Sequence, residues 1–211
     1  PLPEQIFFLD NETGNVVYEP YGQGLYHPLR QVASPIEIKK SPAMFNQLSA
    51  KAHSDAIRLM LKTGVAVMSG IFETDGPFYA DYVPFETEAS VLYFPVKGSS
   101  GKIEAAVSFG FRWDLYITSV FPSLAKFVDV VVSNTCSGST TYKVDIERDQ
   151  MIKVGRGDLH DPAYDGTAFK STSEEYALTI QTFSPGVRND TEECRYLFSV
   201  FATKEFEDEF L

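Results

Sequence analysis

The sequence predicts an α+β fold made of two tandem antiparallel sheets accompanied by helices. Three observations point there. Apolar and polar residues alternate over several short runs, which is the period of a half-buried strand. Turn-forming stretches such as Lys97-Gly98-Ser99-Ser100-Gly101-Lys102 and Ser137-Gly138-Ser139 join these runs closely enough for antiparallel neighbours. Two other segments, Ser49 to Lys62 and Trp113 to Phe121, repeat at helical spacing.

In chain order, Ile6-Phe7-Phe8-Leu9 and Val16-Val17-Tyr18 flank the turn signal Asp10 to Asn15 and read as a hairpin. Pro20 to Pro42 is rich in Pro, Gly and Tyr and reads as an ordered loop packed by aromatics. Ser49 to Lys62 places Ala52, Ala56, Leu59 and Met60 on one helical face, with Lys51, Asp55, Arg58 and Lys62 on the other. Ser49 is its expected cap and Gly64 its stop. Val65 to Phe72 suits either a strand or more helix. Ser90 to Val96 puts Leu92, Phe94 and Val96 on one face, and Ile103 to Phe111 alternates cleanly after it.

Trp113, Ile117, Val120 and Phe121 then share a helical face that Pro122 ends. Phe127 to Glu147 reads as a second hairpin, with Val128, Val130 and Val132 facing Thr140, Tyr142, Val144 and Ile146. Met151 to Val154 is a short strand, and Gly155 to Pro162 is dense in turn residues. Tyr176 to Phe183 and Cys194 to Ala202 are the last two strands. The acidic, aromatic segment Lys204 to Leu211 would fray in isolation.

Composition narrows the function. The chain has 211 residues, of which 44% are hydrophobic, enough for a packed core and too many for disorder. A net charge of -11 disfavours nucleic acid and anionic lipid as partners, because both are bound by basic surfaces. The chain opens on Pro1 with no signal-peptide pattern and holds no run of 18 apolar residues, so it is expected to be a processed piece of a longer protein.

Candidate chemistry is sparse. There is no Gly-x-Ser-x-Gly elbow, and His27, His53 and His160 are far apart in sequence. Neither a phosphate-binding loop nor a dinucleotide fingerprint is present, and no cofactor is expected. Asp158, His160 and Asp161 could offer two metal ligands from one turn; the same residues also serve as ordinary turn chemistry, and no metal site is assigned. An aromatic group could line a small-molecule pocket between sheet and loops. Its expected ligand-binding residues are Phe78, Tyr79, Phe94 and Phe109, with Asp81, Ser108 and Arg112 to orient a ligand. Sequons at Asn11 and Asn189 are candidate glycosylation sites.

A sheet with helices on one face suits a PAS-like module. Phe109-Gly110-Phe111-Arg112-Trp113, with a helix ending at Phe121-Pro122, resembles the strand-to-helix junction of CHASE-type extracellular sensory domains. Val130 to Cys136 with Thr141-Tyr142, Gly157 to Asp165, Cys194-Arg195-Tyr196 and Phe206-Glu207 are similar to ectodomains of receptor-type adenylate or guanylate cyclases of diatoms. The likeness covers most of residues 90 to 210; the long N-terminal helix of CHASE modules has no counterpart.

The resemblance implies a glycosylated, non-enzymatic sensory ectodomain on the extracellular side of the cell membrane, in a parent chain with a cytoplasmic nucleotide cyclase. It implies a distal PAS-like ligand-binding half, residues 1–125, and a membrane-proximal PAS-like half, residues 126–211. Together with the even count of two cysteines it implies a Cys136–Cys194 disulfide. The expected partners are an unidentified small molecule and, in a homodimer, a second copy; membrane contact is through flanking segments only. Two rivals stand beside this reading: a secreted metal-dependent hydrolase using Asp158, His160 and Asp161, and a protein-binding receptor module without a pocket.

Overall fold

A computed structural model describes residues 5–9, 16–20, 28, 45–74, 88–120, 127–135, 137–145, 150–167, 169–172, 181–183 and 195–210. Among them it is an α+β protein whose strands pair mostly antiparallel. β1 (Gln5–Leu9) and β2 (Val16–Pro20) form the expected hairpin. Phe7 packs against Phe45 with ring centroids 5.4 Å apart, and the Asn46 amide donates to the Phe7 carbonyl, which ties the hairpin to the chain that follows.

α1 (Lys51–Thr63) follows a 3-10 turn at Gln47–Ser49. Its cap is Ala50, not Ser49. The Ser49 hydroxyl donates back to the Asn46 carbonyl, so it closes the 3-10 turn and cannot cap the helix. Gly64 stops the helix as read, at φ 70°, a left-handed conformation that costs glycine no Cβ clash. The buried face of α1, with Ala56, Ile57 and Met60, rests on Val67, Val91 and Tyr93. Val67 and Val91 belong to β3 (Val67–Ser69) and β5 (Glu88–Lys97). Val65 to Phe72 thus resolves as strand, in β3 and β4 (Phe72–Glu73).

The first sheet has β5 at its centre. β3 and β4 pair with one side of it, and β6 (Ile103–Arg112) pairs along the other. β11 (Gln181–Phe183) adds to β3 in parallel, so a strand from beyond residue 126 completes the sheet of the first half. The second sheet is wholly antiparallel, in the order β10 (Phe169–Thr172), β12 (Tyr196–Ala202), β7 (Val128–Asn134), β8 (Gly138–Asp145), β9 (Gln150–Arg156).

α2 (Trp113–Val120) packs onto the second sheet. Trp113 and Ile117 are buried with Val130, Val132, Tyr142, Met151 and Tyr196. The Thr118 hydroxyl donates to the Asp114 carbonyl and accepts the Met151 amide, so the helix caps an edge donor of β9. Val120, read as part of the buried face, is exposed. α3 (Lys204–Phe210) ends the described chain. None of the described helices is long and apolar enough to cross a membrane.

Candidate functional site

Two polar constellations sit where the sheets meet and where a loop covers the second sheet. The first is a seam. Trp113 Nε1 donates to Ser90 Oγ at 3.0 Å, and Ser90 Oγ lies 3.0 Å from the Tyr196 hydroxyl. That hydroxyl donates to the Ser69 carbonyl at 2.8 Å. Each hydroxyl has one proton and Trp113 can only donate, so the row runs Trp113 to Ser90 to Tyr196 to Ser69. It links β3 and β5 of one sheet to β12 of the other, and burial pushes the Tyr196 phenol well above its ordinary pKa.

Beside it, Glu88 is 1% exposed and accepts from both the Tyr142 hydroxyl at 2.9 Å and Lys153 Nζ at 2.9 Å. Lys153 also reaches Glu73 at 3.0 Å, and Arg156 reaches the other Glu73 oxygen at 2.9 Å. A carboxylate buried this far is stable only when its lone pairs are met by charged or hydroxyl donors, as here. Desolvation, then the Glu88 charge beside it, pushes the Tyr142 phenol far up, so it stays a donor. The seam joins the sheets by directional bonds as well as apolar contact.

The second constellation lies on the outer face of the second sheet. There Phe201, Ser199, Val131 and Asp129 are buried, and residues 157–167 reach this face through His160, which lies on Phe201. Thr141 Oγ1 holds the start of this loop, donating to the Gly157 carbonyl and accepting the Leu159 amide. Gly157 sits at φ 95°, where a side chain would be strained.

The His160 ring stacks on Phe201 with centroids 3.5 Å apart, and the side chain is 11% exposed. Nδ1 is bonded to Asp158, and Nε2 lies 2.7 Å from Asp165 Oδ1. Desolvation alone would lower the imidazole pKa; hydrogen bonds to the two carboxylates outweigh it, and the net direction is upward. Nearby, Asp129 Oδ1 is buried without a hydrogen-bond partner while Oδ2 is 3.5 Å from Lys143, and burial raises that carboxyl's pKa.

With both ring nitrogens engaged, His160 acts as a clamp between carboxylates. Asp161 turns away and accepts the Ala163 amide, the ordinary turn role. No group of three or more His, Cys, Asp or Glu able to hold a metal occurs among the described residues.

The residues expected to bind a ligand are scattered. Phe94 and Phe109 touch edge to face, with centroids 5.9 Å apart, on one side of the β5–β6 hairpin. The half-buried Ser108 and Arg112 lie on the other side, and Arg112 is ion-paired with Asp114. Phe78, Tyr79, Asp81, Cys136, Cys194, Asn11 and Asn189 lie outside the described residues, as does most of the run Tyr176 to Phe183. The apolar face read on the hairpin is inverted in its far half. Val91 and Tyr93 are buried under α1, whereas Phe94 and Val96 face out at 38% and 42% exposure.

Glu88, Lys153, Ser90 and Tyr196 were not singled out as a site by pattern. The available signals were a lone acid opening an apolar strand and a single tryptophan. No family model, curated protein or solved structure matches the chain.

Proposed function

We propose that the chain is an extracellular sensory module of a membrane receptor, in which two PAS-like layers are coupled through the buried seam, in the manner of CHASE-type ectodomains. The observation that carries this is a rung at the end of the β7–β12 ladder. Tyr196 faces Asn134, and one place further out the Thr135 amide donates to the Arg195 carbonyl at 2.9 Å, while the Arg195 amide donates to Thr135 Oγ1. Thr135 precedes Cys136 in the chain and Arg195 follows Cys194, so the described neighbours of the two cysteines are bonded to each other.

A disulfide between Cys136 and Cys194 would argue for an oxidising compartment. The seam supplies a physical link by which an event on the first sheet reaches β12 and the terminal helix α3. A ligand would move that link only by binding one arrangement of the layers more tightly than another. The test is alkylation of the folded, unreduced protein followed by mass measurement. Zero modified cysteines, rising to two after reduction and unfolding, is the expected result; two freely modified thiols would remove the ground for an extracellular module.

A second reading, a protein-binding receptor module, is favoured by the outward-facing Phe94 and Phe109, which line a surface. Thermal stabilisation by small-metabolite fractions favours a sensor of small molecules. Stabilisation only by a protein partner favours the second reading.

A further inference from the structure

β6 has β5 on one side and, among the described residues, no strand on the other. It is ten residues long and contains no proline; the one irregularity in the pair is a bulge at Glu104, next to its start. Natural edges are usually blunted by shortness, proline, bulges or inward charge, because an open row of amides and carbonyls recruits another strand. This edge has none of these over its middle. Val107 and Phe109, which project from it, are 48% and 57% exposed and adjoin Phe94 and Val96 on the same face.

The two ends of β6 carry charges of both signs. Lys102 and Glu104 stand at its start; Arg112, with Asp114 just beyond, stands at its end. In an antiparallel self-pairing centred on Ser108, the end with Lys102 and Glu104 lies beside the other copy's end with Arg112 and Asp114, an ion pair within its own copy. Val107 then lies beside Phe109, and Ala105 beside Phe111, so the apolar face runs on unbroken between copies. Centring on Val107 instead would set Phe109 against Ala105 and lose both Val107–Phe109 pairs, and a shift by one residue would put the apolar face of one copy beside the polar face of the other.

We propose that two copies of this chain associate by antiparallel pairing of their β6 edges, centred on Ser108, to form one continuous sheet. α1 lies against β5 on the other face of the hairpin, away from Val107 and Phe109. The proposal stands apart from the sensory reading, since it would hold if both native thiols were free.

Sedimentation velocity across a concentration series is expected to show a reversible dimer that Phe109→Lys and Val107→Lys abolish while circular dichroism is unchanged. Ser108→Cys is expected to give, on mild oxidation, a covalent dimer whose cross-link maps to position 108 on both chains. Ala106→Cys is expected to give none, because equivalent atoms at 106 would be about 14 Å apart along the paired strands. A monomer at every concentration overturns the proposal, as does a dimer that survives both lysine variants. A cross-link at 106 in preference to 108 overturns the register.

Discussion

Tyr196→Phe removes one oxygen from the seam and leaves the ring in place, so it isolates the directional part of the coupling between sheets. The lost hydroxyl donates to the Ser69 carbonyl at 2.8 Å and lies 3.0 Å from Ser90 Oγ. Ser90 keeps an alternative acceptor, the Gly70 carbonyl at 3.3 Å, so its own proton is not orphaned. The Ser69 carbonyl belongs to a residue with no solvent exposure, so water does not replace the lost donor. One net hydrogen bond plus partial desolvation of a buried acceptor gives a cost of about 2 kcal/mol. For a chain of this size that is roughly a 4–8 °C fall in Tm. Ser90→Ala takes the acceptor from the buried Trp113 indole and should cost about the same.

The two changes share a bond, so the double variant should fall short of the sum by about 1 kcal/mol. Urea denaturation of the four proteins, followed by fluorescence of the single tryptophan, measures all three numbers. If Tyr196→Phe costs under about 0.5 kcal/mol, or if the pair is additive, the seam is only apolar packing with incidental polar contacts.

On the proposed reading, in which Cys136 and Cys194 are bonded, replacing both by serine opens a loop that spans positions 136 to 194. Chain-entropy reasoning puts the loss at about 4 kcal/mol relative to the oxidised protein, and reduction of the native protein should match it in a denaturation series. At the Glu88 site, Lys153→Met leaves a buried carboxylate without its cation, and the cost should be about 3–5 kcal/mol. Tyr142→Phe, which removes one charge-assisted bond from the same carboxylate, should cost about 2 kcal/mol; the reverse order would show Lys153 to be solvated and dispensable. His160, raised by its carboxylate bonds, contributes stability that is fully present below its ordinary pKa of 6.5 and is lost as pH rises through the higher folded value. Denaturation midpoints of the native protein should therefore decline relative to His160→Gln above about pH 6.5, with hydrogen exchange at the 157–167 loop rising in step. Parallel pH profiles for the two proteins would show the clamp to be energetically idle.

Local pattern marks most of the strands and helices: period-two runs mark β5 to β8 and β12, and helical spacing with Gly64 marks α1 because glycine alone relaxes at that φ. The 3-10 turn at Pro162–Thr167 and β10 carry no periodicity long enough to read, and they form because the second sheet offers them an edge and a face. Alternation also says that a strand has two unlike faces without saying which one is covered. On the β5–β6 hairpin the choice fell to α1, which lies over Val91 and Tyr93 and leaves Phe94 and Phe109 outside.

The candidate site divides the same way. Asp158, His160 and Asp161 are visible as a cluster of side chains, but only the fold sets Asp165 on the second imidazole nitrogen and Phe201 beneath the ring. Glu88 and Tyr142 are 54 positions apart, and Ser90 and Tyr196 are 106 apart. Local sequence fixes the backbone of each partner; which partners meet depends on how the two sheets pack, because a hydrogen bond requires an approach of about 3 Å that no sequence spacing encodes.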